Sequence, residues 1–248
     1  MKSPPYVHTE DLPFIDAANT ARKIILQSHR SFVNHSSFGD FGDRALHLGL
    51  LPVPYQGNLS RADIFIVVLN PGLGLSDYQT GEDAGHVQQL RSIIHQQFGK
   101  VRYPFLSLNP EYAWTGGFQW WEQKLRRVIQ KLAAEYCEGN YAAALFLLSQ
   151  RLAAIEVFPY RSRTFGAGHL RSMLPSVRVA KEFVQSLVPR ARREEVTIVV
   201  SRGIKAIGLE DHKLANYDAR LARGASLGPE TLGGNAILDA FRARPPAV

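Results

Sequence analysis

The hydrophobic pattern changes period along the chain, and the changes outline its elements. Between Asp63 and Asn70 stand six consecutive apolar residues, Ile64-Phe65-Ile66-Val67-Val68-Leu69, mostly β-branched or aromatic. Such a run predicts a strand buried on both faces, as in a parallel sheet. Shorter runs predict strands over 103–108, 153–158 and 196–200, and a weaker one over 214–221. Between them the spacing turns helical. Val87, Leu90, Ile94 and Phe98 make a stripe over 83–98, and Trp121, Leu125, Val128, Ile129 and Leu132 make one over 116–136. Helices are also expected over 16–35, 141–152, 170–188, 204–209 and 230–241, with Pro189 to Arg193 as a basic connector. Strand and helix alternate four times. The expected fold is therefore α/β: a three-layer α/β/α arrangement around a central, mostly parallel four-stranded sheet. Residues 1–49 read as an arm and a helix lying on the core, and residues 50–248 as the α/β domain.

Each expected strand ends in a polar or ring-bearing residue: Asn70, Asn109, Tyr160 with Arg161, and Ser201 with Arg202. In an open parallel sheet, ligands bind in the crevice beyond the carboxyl ends of the strands. The first of these ends is the most pointed. Asn70 is followed by Pro71, which fixes φ, and by Gly72 and Gly74, which permit close backbone approach. Two readings stand side by side: a lip of a binding crevice, or an ordinary Asn-Pro-Gly turn.

Composition narrows the classes. With 45% hydrophobic residues the chain can bury a full core, and no run of roughly 18 apolar residues suggests a membrane span. The start of the chain lacks the basic-then-apolar order of a secretion signal. The single cysteine, Cys137, leaves no internal disulfide and no four-thiolate iron–sulfur cluster, which points to a reducing cytoplasm. The formal charge of +7 favours a polyanionic partner. There is no phosphate-binding Gly-rich loop, no helical His pair with metal spacing and no Gly-x-Ser-x-Gly elbow, so no cofactor is expected.

Pro52-Val53-Pro54-Tyr55-Gln56-Gly57-Asn58, a strand, and then Leu69-Asn70-Pro71-Gly72-Leu73 resemble the first motif of the uracil-DNA glycosylase superfamily. The branch most similar is the mismatch-specific one, whose motif reads G-I-N-P-G. The resemblance covers roughly residues 50–241 and implies a uracil-DNA glycosylase-like sheet. It implies that Asn70 orients the attacking water and that Pro71 and Gly72 border the base, Gly72 leaving room where other members carry a tyrosine. Phe105 falls where the family stacks an aromatic ring on the flipped base; it also reads as a core phenylalanine. Where the family reads the base edge with an asparagine, this chain offers Glu156 and the turn containing Tyr160. Before the minor-groove loop the family carries His-Pro-Ser or Asn-Pro-Ser. Here the stretch is Arg223-Gly224-Ala225-Ser226-Leu227-Gly228-Pro229, without the histidine. In that frame Ser226 holds a phosphate and Leu227 is the wedge that fills the vacated stack. Leu227 reads equally well as a buried staple for the last helix.

Acting on a base requires extruding it into a shaped pocket, with phosphate contacts for register. Arg161, Arg163, Arg202 and Arg223 fall at or near strand ends or the wedge loop, where such contacts are needed. The expectation is a monomeric, cytoplasmic, cofactor-free DNA glycosylase acting on uracil-containing or mismatched DNA. The alternative is a catalytically weak or inactive nucleic-acid-binding relative, and a third reading is a small-molecule enzyme on the same scaffold.

Overall fold

A computed structural model of the chain describes residues 8–18, 23–36, 38–39, 43–170, 172–220 and 226–246. The expected buried strand forms as β4 (Ile64–Val68), with all five residues buried. It pairs in parallel with β5 (Leu152–Glu156) on one side and β6 (Thr197–Val200) on the other. A short strand β3 (Tyr55–Gln56) closes the far edge of β5 in the antiparallel sense, giving the order β3-β5-β4-β6. The protein is thus a mixed α/β fold whose four-stranded sheet has mixed orientation.

Alternation along the strands sends successive side chains to opposite faces. Ile64, Ile66, Val68, Leu152, Ala154 and Val199 meet α5 (Gly116–Tyr136), α6 (Tyr141–Arg151) and α9 (Leu232–Ala243). Phe65, Val67, Ala153, Ile155 and Ile198 meet α7 (Pro175–Arg192). Ile15 of α1 (Leu12–Ala17), with Leu46 and Leu48, joins that second cluster, so the start of the described chain lies on the α7 side. At the amino end of the sheet, Arg151 and Arg244 both bind the Asp63 carboxylate, and the Arg151 guanidinium lies 4.1 Å from the Phe241 ring centre.

Several helices start where a side chain caps them. Thr115 accepts from the Phe118 amide at the head of α5, Asn140 from Ala143 at α6, and Thr231 from Gly234 at α9. Each satisfies a backbone donor that the helix itself leaves unpaired. Gly234 has a second role: a Cβ there would stand 1.9 Å from the Gly228 carbonyl. The segment Leu227-Gly228 is therefore pressed against the head of α9.

Four expectations are corrected. The stretch 103–108 is no strand: Pro104 offers no donor, and the chain turns through short 3-10 segments at Leu106–Leu108 and Pro110–Tyr112. The fourth strand of the sheet is β3 instead. The helix expected over 16–35 is split into α1, β1 (Lys23–Ile24) and α2 (His29–Val33), because Lys23 and Ile24 pair with β2 (Leu46–His47) and Ser28 caps a new helix. The basic stretch Pro189 to Arg193 is mostly the last turn of α7, where cations suit the carboxyl end of the dipole. Of the weak strand expected over 214–221, the described residues 214–220 form a turn segment that bonds to β6 through the Val200 amide to the Ala215 carbonyl and the Asn216 side chain to the Ile198 carbonyl.

Candidate functional site

Because β4, β5 and β6 run parallel, their carboxyl ends open on one side, and the residues that follow them meet there. The main chain holds them in place: the Phe158 amide donates to the Leu69 carbonyl at 2.8 Å and the Ser201 amide to the Val67 carbonyl at 2.9 Å. The result is a crevice of about 420 Å³ bordered by Asn70, Glu156, Arg161, Ser162, Ser201 and the head of α5. Pro71, Gly72, Arg163 and Arg202 also line it.

The Asn70 amide nitrogen donates to the Pro71 carbonyl at 3.0 Å and to the Ser162 hydroxyl at 3.3 Å. These bonds orient the side-chain amide through its nitrogen, and Asn70 lines the crevice. The turn after Asn70 is latched from outside. Asp77 of α3 (Asp77–Glu82) accepts from the Gly74 amide at 2.5 Å and pairs with Arg161 at 3.0 Å, and Arg161 donates to the Gly72 carbonyl at 3.1 Å. A Cβ at Gly72 would meet nothing within 4 Å, so the glycine leaves open space at the lip.

Glu156, the last residue of β5, is 5% exposed. Alternation puts its side chain on the face shared by Leu152 and Ala154, the side covered by α5. Its Oε2 is buried without a hydrogen-bond partner among the described residues. Burial pushes its pKa up to about 8, against the opposing pull of Arg161. Ser201 Oγ is likewise buried without a partner among the described residues.

The aromatic wall comes from residues that the sequence pattern left in the background. Gly116 and Gly117 open α5 close against Ser76 and Ser107, where a Gly117 Cβ would fall 3.1 Å from the Ser107 hydroxyl. This close approach brings Trp120 and Trp121 to the crevice. Trp121 is buried and packs edge-on against Phe105 at 5.0 Å, whereas Trp120 keeps 37% of its surface open. Phe165 borders the opposite part of the same space. The sequence signal for Trp120 was the glycine pair just before an aromatic pair. Phe165 and Asp77 had none.

Other expected site residues lie elsewhere. Phe105 is fully buried in the α5 cluster and does not line the crevice, so it is a core residue and not a stacking ring. Tyr160 is buried on the α7 side; its hydroxyl donates to Asp11 at 2.6 Å, which turns it away from the crevice. Arg161 is committed to Asp77 and Gly72. Leu227 is 1% exposed and packs with Val199 and Leu238, so it is a core staple and not an exposed wedge. Ser226 is exposed beside it. Arg223 lies outside the described residues. His212 is a surface residue whose ring meets Tyr217 at 5.1 Å.

A second, more apolar cavity of about 630 Å³ lies on the α7 side of the sheet, between Tyr55, Ile155, Val179 and Phe183. Among the described residues no group of three or more His, Cys, Asp or Glu is placed to hold a metal ion, and no helix is long and apolar enough to cross a membrane. Compared with protein-family models, with curated proteins and with solved structures, the chain gives no match, so the reading of this crevice rests on its own residues.

Proposed function

We propose that the protein is a DNA glycosylase that hydrolyses the N-glycosidic bond of uracil or a related deaminated base. The observation that carries this reading is the meeting of Asn70 and Glu156 in one crevice with an open aromatic face. A base in a duplex must leave its stack to be reached, and the cost of a few kcal/mol is offset inside a pocket that stacks and hydrogen-bonds it. Trp120 and Phe165 offer the ring surfaces here, and Glu156 offers hydrogen bonding to the base edge. Asn70 Oδ1 accepts from a water and aims its oxygen at the sugar carbon. As that carbon–oxygen bond forms, the bond to the base nitrogen breaks and its electron pair leaves with the base, while the proton lost by the water passes to solvent and solvent returns one to the released base. Arg163 and Arg202, which line the crevice, suit the flanking phosphates.

Leu227, buried in the core, supplies no wedge in this scheme, and among the described residues no histidine lines the crevice to meet the departing base. A non-catalytic DNA-binding relative is the second reading, favoured by that missing histidine. The two part in one assay. Single- and double-stranded oligonucleotides with one uracil, incubated with the protein and then treated with alkali, should break at the uracil position. Binding without breakage in every substrate context would establish the non-catalytic reading.

A further inference from the structure

The crevice contains a buried carboxyl group, Glu156, whose second oxygen has no partner among the described residues. A carboxylate and a carboxylic acid recognise opposite things. The ionised group only accepts hydrogen bonds, whereas the neutral group presents one donor beside one acceptor. A buried polar atom without a partner destabilises the protein, so a ligand that completes its hydrogen bonding is favoured there. We infer that Glu156 binds its substrate as a neutral carboxylic acid, pairing with a ring edge that carries an N–H beside a carbonyl, as uracil does. The inference rests on the glycosylase reading of the same crevice and narrows its substrate class to lactam and imide bases.

In the pair, the acid's carbonyl oxygen accepts from the ring N–H and its O–H donates to the ring carbonyl. A neutral acid also fits an amino–imine edge with the proton on the other oxygen. The departing base separates the two cases. An imide leaves with negative charge on the carbonyl oxygen that the acid's O–H already holds, so this bond strengthens along the reaction. Glu156 thereby takes the part of the electrophile that no histidine here supplies.

The surroundings agree with a neutral form. Burial holds the proton on Glu156 to about pH 8. From α5 the crevice is faced by glycines and tryptophans only, and from β3 by the neutral Gln56. Arg161 is the nearby cation, and its charge is engaged by Asp77 of α3. Arg163 and Arg202 also line the crevice, and one guanidinium nitrogen of Arg163 is buried. On the α7 side, Glu156 borders a cavity that also holds His8, Glu10 and Asp11.

Three measurements on the full chain decide the matter. First, the protein is titrated with free uracil and with N3-methyluracil, followed by ligand-observed NMR. Uracil should bind and the methylated base should not, and equal binding or no binding of uracil overturns the inference. Second, uracil release is followed across the pH range. The wild-type rate should fall about tenfold per pH unit above about 8. Third, Glu156→Gln keeps a donor and an acceptor without a titrating proton. It should stay within about tenfold of the wild type at neutral pH and lose the alkaline fall, while Glu156→Ala loses about 100-fold or more. A wild-type rate that rises with pH, with an inactive Glu156→Gln, makes the group a carboxylate base and overturns the inference. Selective uracil binding without release from any oligonucleotide would sink the glycosylase reading and leave the edge pairing standing.

Discussion

Arg161 and Asp77 stand 3.0 Å apart at the lip of the crevice, and each also holds the Asn70 turn, Arg161 through the Gly72 carbonyl and Asp77 through the Gly74 amide. The pair is largely buried, with the arginine side chain 18% exposed and the aspartate 8%. Arg161 thus holds the turn that carries Asn70, and in the glycosylase reading it positions Asn70 instead of meeting a phosphate. Arg161→Ala should slow uracil release while leaving the salt dependence of DNA binding nearly unchanged. Arg163→Ala or Arg202→Ala should instead flatten the slope of log K against log[salt] by about 0.9 per lost phosphate contact. Fluorescence anisotropy at several salt concentrations reads both. An Arg161→Ala slope that flattens by a full contact would return it to the DNA-binding surface.

The Asn70 amide is oriented by Pro71 and Ser162 at the edge of the crevice. Asn70→Ala should cost about 10²–10⁴-fold in rate, the usual worth of a positioned catalytic group. Its melting temperature should stay within a few degrees of the wild type, since the turn keeps its Asp77 and Arg161 latch. Equal rates for mutant and wild type would remove Asn70 from the mechanism.

Leu227 is buried between β6 and α9, where Gly233 and Gly234 allow the loop to press on the helix. Leu227→Ala should lower stability by about 2–5 kcal/mol, the usual cost of truncating a core leucine. Denaturant unfolding measures it. A 2-aminopurine reporter beside the target base should give an unchanged flipping signal per bound protein.

Glu156 also links pH to stability. Its folded-state pKa is raised to about 8, so the folded protein keeps a proton that the unfolded chain releases at ordinary carboxyl pKa. This contribution is fully present below the unfolded value and is lost as pH rises to about 8. Over that window the Glu156→Gln variant should gain on the wild type by up to about 1.4 kcal/mol per pH unit, levelling off above it. Melting curves of both proteins at matched pH test the sign. A constant difference across the window would show that Glu156 is ionised in the folded state.

The sequence by itself determined β4, the long helix α5 and the meeting of strand ends at Asn70. Those features are written in local periodicity: six apolar residues in a row, a stripe at helical spacing, and a proline–glycine turn that no strand can continue. It also placed Glu156 within the strand expected over 153–158, though neither as that strand's last residue nor closed off from water. Burial depends on what lies opposite, and α5 is opposite because Gly116 and Gly117 let it approach. Only the tertiary structure decided that Phe105 and Tyr160 serve the core, that Arg161 is paired, and that Trp120 and Phe165 reach the crevice. Aromatic and charged side chains fit several environments equally well in sequence. Partners distant along the chain, Asp77 for Arg161 and Asp11 for Tyr160, settle which one each occupies.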